Sequence, residues 1–218
     1  INTKVQNAIT NFETTELSLF DKGFRESTFV KAVSEADVSI VSTRSTYTMM
    51  KRFTPNSGTA TTYNFAFNNA IHHPHEGHLY AINSSGFTFN GQTTFIDDNG
   101  FGILRLYYLG DNNIRQYVSN DAGTVNYATG LVTLNNVNIT STSSIELTAK
   151  PDINDINTVR NNIILLSGTS VTVVNNETGA VESRVTSATT SGSTTTITTS
   201  YTGTTQTGTT SGVSGTYY

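Results

Sequence analysis

The sequence predicts an α+β protein that is mainly β, with short N-terminal helices, an antiparallel β-rich domain and a Thr/Gly-rich extended tail. Apolar residues recur at helical spacing near the N-terminus, and alternating apolar residues broken by Asn, Asp and Gly dominate the middle. No charged residue follows Arg184. We therefore divide the chain into a helix-helix-strand segment over 1–54, an antiparallel β domain over 55–166, and a β-hairpin with its tail over 167–218.

The first element is predicted to be an amphipathic helix. Ile1, Val5, Ile9 and Phe12 fall at the spacing that places side chains on one helix face. That face suits packing on its own domain and packing on equivalent helices of partner chains equally well, because amphipathicity does not name the partner. A break at Asp21-Lys22-Gly23 ends this element.

A second helix is predicted to begin near Ser27, which is a suitable N-cap residue. Its apolar face consists of Phe29, Val30, Val33 and Ala36. The stretch from Asp37 to Phe53 alternates and is rich in Thr and Tyr, so it predicts one long strand.

Short strands separated by tight turns are predicted for the β domain. The apolar faces contain Tyr63, Phe65 and Phe67 in one strand, and Phe87 and Phe89 in another. The strand "FGILRLYYL" is apolar on both faces and is predicted to lie between two layers. The segment "GTVNYATGLVTLNNVNIT" predicts two strands, and "SIELTAKP" and "VRNNIILL" complete the set. Left-handed turn residues are expected in the segments 84–86, 90–91, 97–100, 110–113 and 128–130.

Composition excludes several classes of protein. The 12 Lys and Arg residues against 16 Asp and Glu residues leave a net charge of -4, which argues against a nucleic-acid-binding protein. No cysteine is available for a disulfide or thiolate site, and no apolar run is long enough to span a bilayer. Because Ile1 is not a start methionine, we expect the chain to be a region of a longer protein.

All four histidines lie in "AIHHPHEGHLY", which raises the question of a metal site. His73 and His75 would point the same way on a strand, with His78 or Glu76 as a third ligand. Pro74 argues against a central strand, and the spacing lacks the pattern of known zinc motifs. We therefore favour a polar loop, keep His73, His75 and His78 as candidate metal ligands, and expect no cofactor.

Other candidate chemistry is weaker. Asp97, Asp98 and Asn99 could bind calcium, but the later Glu of the twelve-residue pattern is missing, so we predict a turn. No nucleophile elbow and no phosphate-binding loop occur, so we expect no catalytic residue and no enzyme. The aromatic residues that could stack on sugars are Tyr63, Tyr80, Tyr107 and Tyr108.

The third region contains a predicted hairpin that turns at Asn175 to Gly179, followed by an uncharged Thr/Ser/Gly tail. Thr favours extended backbone, whose N–H and C=O groups need partners. We expect the tail to lie along another surface, which we infer to be another chain.

The N-terminal stretch combines a helix, a glycine-containing start of a second helix, and an acidic bridge into a strand. The residues that form this pattern are Ile9, Phe12, Gly23-Phe24-Arg25, Ser27, Phe29, Val33, Glu35, Asp37, Val38 and Ile40. The pattern resembles the end of the baseplate-J-like fold of contractile-tailed bacteriophages.

Downstream segments extend the likeness over about residues 1–166. They occur in the order "KRFTP", "YNFAFNNAIHHPHEGH", "SSGFTFNG", "DDNGFGILRLYYL", "AGTVNYATGLVTLNNVNIT" and "KPDINDINTVRNNIILL". Together they are similar to the C-terminal half of the dimer-forming baseplate wedge proteins of T-even-type and cyanobacterial myoviruses. The tail is not matched.

This resemblance implies a structural subunit in the virion tail baseplate, assembled in the host bacterial cytoplasm. Its implied partners are a second copy and other wedge subunits, which link into a ring around the hub and trigger sheath contraction; no nucleic acid, membrane or small-molecule substrate is implied. The alternatives are a tail-fibre or receptor-binding β module and a His-metal hydrolase. The candidate interface residues are Ile1, Val5, Ile9, Phe12, Tyr201, Tyr217 and Tyr218.

Overall fold

A computed structural model describes residues 1–75, 80–158, 162–173, 185–191, 194–201 and 204–211, the last three ranges as backbone only. The chain divides into two compact units. One comprises Thr3–Thr169, and the other comprises Ile1–Asn2 with Ser170–Tyr218. Each unit is described by itself.

The N-terminal part of the first unit is helical, as predicted. Helix α1 spans Asn2–Phe12 and continues into a π-helical turn over Glu13–Leu17, and helix α2 spans Glu26–Ser34. The apolar faces meet in a small core that contains Phe12, whose ring lies 5.3 Å from that of Phe29. No helix in the described part of the chain is long and apolar enough to cross a membrane.

The predicted N-cap of α2 is wrong. Arg25 occupies the N-cap position and contributes no side-chain cap, while Ser27 lies in the first turn. The carboxylate of Asp155 accepts a hydrogen bond from the backbone N–H of Glu26 at 3.0 Å instead. A residue far along the chain therefore caps α2, and spacing within the helix sequence does not reveal it.

The predicted long strand from Asp37 to Phe53 is also wrong, because only β1 (Met49–Phe53) forms a strand. All five residues of β1 pair with the strand Ile145–Ala149, which is itself only five residues long. Upstream, Asp37 accepts hydrogen bonds from the backbone and hydroxyl of Ser39, and Val38 and Val41 are exposed. Alternation without a partner strand does not produce a strand, since the ladder hydrogen bonds are missing.

Nine strands of the described residues form one antiparallel sheet. Besides β1, they are β2 (Ala60–Ala66), β3 (Ile82–Ser84), β4 (Phe87–Phe89), β5 (Gln92–Asp98), β6 (Ile103–Leu109), β7 (Arg115–Asn126), β8 (Leu131–Asn138) and β9 (Ile145–Ala149). Their order is β1-β9-β3-β5-β6-β7-β8-β2, with β4 paired to β5. The sheet curls into a nearly closed barrel. The terminal strands approach at the ring of Phe53, which lies 5.1 Å from Tyr63 and 4.7 Å from Phe65.

The barrel interior is apolar and fully buried. Its members include Ile82, Ile96, Leu104, Leu106, Leu134, Ile145 and Leu147. Strand β6 was expected to be apolar on both faces. Leu104 and Leu106 fill the interior, whereas Arg105 and Tyr107 belong to a polar and aromatic layer described below.

The predicted turns form at most positions. Asn90 and Gly91 connect β4 and β5 with φ values of 49° and 75°, the left-handed pair that a tight hairpin requires. The segment 97–100 is a turn only in part: Asn99 and Gly100, with φ of 80° at Gly100, lie in the connection to β6, whereas Asp97 and Asp98 end β5 and are buried. The predicted strand "VRNNIILL" does not form over residues 162–166, and residues 159–161 lie outside the described residues.

The second unit contains three antiparallel strands, β10 (Val185–Ser191), β11 (Thr194–Tyr201) and β12 (Thr204–Ser211). Within the tail, the central strand β11 pairs with both of its neighbours, for example Ile197 with Ala188 and Gly208. That another chain covers the tail stays a prediction. The predicted hairpin turn at Asn175 to Gly179 lies outside the described residues.

Candidate functional site

The C-terminal end of β5 carries two buried carboxylates. Because consecutive strand residues point to opposite sides, Asp97 and Asp98 serve two separate networks. Asp97 has no exposed surface, and its oxygens accept hydrogen bonds from Arg105 Nε at 2.9 Å, Arg115 Nη1 at 2.5 Å and the Tyr117 hydroxyl at 3.0 Å. A buried charge is tolerated only when paired in this way.

Aromatic rings cover both guanidinium groups. Arg115 lies 3.8 Å from the ring centre of Tyr80 and 4.3 Å from that of Tyr107, and Arg105 lies 4.3 Å from that of Tyr117. Burial opposes the charged form of Arg115, but Tyr107, Tyr80 and Asp97 outweigh it and raise its pKa. The charged arginine therefore cross-links β5, β6 and β7 on one face of the sheet.

The second carboxylate, Asp98, fixes three loops. One of its oxygens accepts hydrogen bonds from the backbone N–H groups of Ala81 and Ile82, each at 2.7 Å. The other accepts a hydrogen bond from the Tyr127 hydroxyl at 2.6 Å and one from the Gly100 N–H at 3.3 Å. Burial, followed by the contact with Asp98, raises the pKa of Tyr127 well above its ordinary value. This tyrosine is thus a neutral donor at physiological pH.

The histidine loop belongs to the same network. His73 Nε2 lies 2.9 Å from the carbonyl oxygen of Gly100, and the imidazole stacks on Tyr127 with ring centres 4.5 Å apart. Among the described residues, no three His, Asp or Glu side chains are grouped to hold a metal ion; His78 and Glu76 lie outside them. The described contacts of His73 are those of a residue that packs two loops together.

The candidate sugar-stacking aromatics take part in internal packing. Tyr80 and Tyr107 flank Arg115, and Tyr107 is almost completely buried. The hydroxyl of Tyr63 accepts a hydrogen bond from the N–H of Asn56 at 2.9 Å. Tyr108 is half-buried on β6. The described structure therefore arranges these rings as supports for the barrel rather than as an exposed platform.

The candidate interface residues divide into three groups. Val5, Ile9 and Phe12 are buried by their own chain. Ile1 is exposed. Tyr201 lies on β11 with its side chain outside what the structure describes, and Tyr217 and Tyr218 lie outside the described residues. Of the two alternatives for α1, the described contacts are those within its own domain.

Two irregular segments that carry exposed apolar side chains, which sequence reasoning missed, run next to each other after the π-helical turn. The chain returns there, because Asp21 N–H donates to the Asn162 carbonyl and Leu166 N–H donates to Glu13 Oε1. The members, called here the Leu19 patch, are Leu19 (52% exposed), Phe20 (69%), Ile163 (42%) and Leu165 (67%). No periodic signal marks them, since they lie in irregular segments.

Residues 1–52 match a family model described as "Baseplate structural protein gp6, C-terminal domain III". The match covers α1, α2 and most of β1, and the remainder of the barrel lies outside it. No curated protein matches the chain. The match supports a phage baseplate protein with a structural role, and it suggests a location in the virion tail baseplate and a non-enzymatic function.

We predict that Asp97→Asn strongly destabilises the barrel, because it leaves the partly buried Arg105 and Arg115 without a countercharge. The expected loss in the free energy of unfolding is roughly 3–5 kcal/mol. Glu146→Gln is the matched control. It removes the carboxylate that pairs with Arg52, and both partners are about half exposed, so the loss should stay below about 1 kcal/mol. Urea unfolding measures the free energy of unfolding of both variants. Equal losses in the two variants would contradict the role of Asp97.

We predict that Tyr127→Phe changes the alkaline pH dependence of stability. Since the folded pKa of Tyr127 is raised, its contribution is complete below the unfolded value of about 10 and is lost as pH rises through the folded value. The variant should lose about 2 kcal/mol at neutral pH, because one hydrogen bond to a carboxylate is missing. Above about pH 10 the difference in the free energy of unfolding between wild type and Tyr127→Phe should begin to shrink, because the unfolded tyrosine then ionises first. Tyr108→Phe controls for loss of a tyrosine, and parallel curves for wild type and Tyr127→Phe would refute the prediction.

Proposed function

We propose that this chain is a structural subunit of the baseplate wedge of a contractile phage tail. It forms contacts that link wedges into a ring around the hub and transmit the change that triggers sheath contraction. The single observation that carries the proposal is the family match over the folded helical region. The proposed partners are a second copy and other wedge subunits, and the proposed site of assembly is the host cytoplasm.

The barrel has the properties of a load-bearing module. Two buried carboxylates tie neighbouring strands and loops together, and an apolar interior fills the barrel. Such cores are close-packed and transmit displacement rather than absorbing it. A ring that changes shape needs stiff modules of this kind between the contacts that move.

We assign the contact with the second copy to the Leu19 patch. Its four side chains together expose apolar surface on the order of 400 Å². A standard interface buries about 800 Å² per partner, and a little over half of that area is apolar. The patch therefore matches the apolar share of one such interface, and a two-fold contact would pair it with itself.

The two alternatives have less support. A receptor-binding module would present aromatic rings to a sugar, whereas Tyr63, Tyr80 and Tyr107 pack against their own chain. A metal hydrolase would use His73, whose described contacts are with Gly100 and Tyr127. No described contact favours either function.

We predict concentration-dependent dimer formation that depends on the Leu19 patch. Sedimentation of the wild-type chain should show a dimer at high concentration, and the double variant Leu19→Ser/Phe20→Ser should remain a monomer. Ile114→Ser is the matched control, because Ile114 is 58% exposed in the connection between β6 and β7. It should dimerise like the wild type.

Two outcomes would contradict different parts of this proposal. A wild-type chain that stays monomeric at every concentration argues against a dimerising subunit. A double variant that dimerises normally leaves the dimer in place but removes the Leu19 patch from its interface.

A further inference from the structure

The first unit contains two apolar cores rather than one. The barrel core begins at Met49 and includes no residue from the helices. Residues 3–47, called here the helical segment, have their own core around the rings of Phe12, Phe24, Phe29 and Tyr47. A single residue, Thr48, separates Tyr47 in one core from Met49 in the other.

A short strap, residues 154–157, joins the two bodies. On the helical side, Phe24 and Ile156 exchange backbone hydrogen bonds of 2.8 and 3.0 Å. Asp155 accepts hydrogen bonds from Glu26 N–H at 3.0 Å and from Arg25 Nη1 at 2.9 Å. The approach is so close that a Cβ on Gly23 would lie 2.9 Å from the Ile156 carbonyl oxygen.

The strap also binds the barrel. Asn157 N–H donates to Asn69 Oδ1 at 2.8 Å, and Asn69 Nδ2 donates to the Asn157 carbonyl at 2.9 Å. Ile156 packs against the edge of the barrel core, so it contacts both bodies. Residues 162 and 166 also bond to the helical segment, but they follow the strap and belong to no barrel strand.

The junction is polar and partly exposed, in contrast to the two cores. The side chains of Arg25 and Asp155 are 55% and 39% exposed. The N–H of Glu26, and then Arg25, hold the pKa of Asp155 below its ordinary value, so the carboxylate is charged at neutral pH. Exposed polar contacts of this kind open at much lower cost than a packed core.

We propose that the strap is a latch and Thr48 a pivot, so that release of Asp155 from the start of α2 lets the helical segment swing relative to the barrel while both cores stay folded. Asp155 acts as a positioning residue, because it sets the orientation of a body that carries Leu19 and Phe20 of the Leu19 patch. The latch does not depend on the proposed baseplate role. It would allow contacts made by the helical segment to shift while the barrel keeps its shape.

The first test is hydrogen exchange of the full chain carrying Asp155→Ala. Amides of residues 23–29 and of the strap should exchange about tenfold faster, since one helix cap is lost, while the amides of β6 and β8 stay unchanged. Asp152→Ala is the matched control, because Asp152 is exposed and hydrogen-bonds through its backbone N–H. Asp155→Asn retains a cap acceptor and should restore most of the protection.

The second test distinguishes a latch from simple fraying of α2. The chain has no cysteine, so spin labels at Lys31→Cys and Asp121→Cys report one distance between the helical segment and the barrel. The wild type should show one narrow distance distribution, and Asp155→Ala should add a second population. An unchanged distance with faster exchange would mean that Asp155 only caps α2, and faster exchange throughout the barrel would mean global destabilisation; either result overturns the latch.

Discussion

The barrel depends on the need to neutralise two buried carboxylates that one strand carries, one on each side of the sheet. Asp97 and Asp98 are consecutive and almost completely buried, so each must find all of its partners on its own side of the sheet. Asp97 recruits Arg105 and Arg115 from the next two strands, and Asp98 recruits the backbone and Tyr127. These contacts favour the observed register of β5, β6 and β7, because a shift that separates Asp97 from its arginines would leave a buried charge unpaired.

The same constraint explains the histidine loop. Tyr127 is held by Asp98, His73 stacks on Tyr127, and the His73 ring reaches the carbonyl of Gly100. These contacts therefore lead from the buried carboxylate of Asp98, through Tyr127, to His73 at the surface. His73, which suggests metal chemistry in the sequence, is thus the outer end of a structural network.

The helical segment is built on a different principle. Its aromatic core is small and independent, and polar contacts at the strap join it to the barrel. A stiff body and a smaller body on a polar junction suit a protein that must hold its shape and still rearrange with its neighbours. The family match falls on the smaller body, and the rest of the barrel lies outside it. The part that resembles a baseplate protein is therefore the part that the strap holds in position.

Sequence reasoning succeeded where local signals suffice. The apolar spacing of Val5 and Ile9 identified α1, and Asn90-Gly91 identified a hairpin, because helix period and turn chemistry are local properties. It failed at Asp155, which caps a helix more than a hundred residues away, and at Asp97, which looked like a turn residue. One usable signal was Arg105 in an otherwise apolar strand, since a half-buried arginine there requires a buried carboxylate. The Leu19 patch left no signal, because the two segments that carry it come together only in the folded chain.

The central claim is that the chain works as a load-bearing part of a tail baseplate. Its most direct test is gold labelling of assembled phage particles with an antibody against the barrel, viewed by electron microscopy. The account predicts label at the baseplate end of the tail in every labelled particle. Label confined to the tips of tail fibres, or a particle from which the chain is absent, would contradict it.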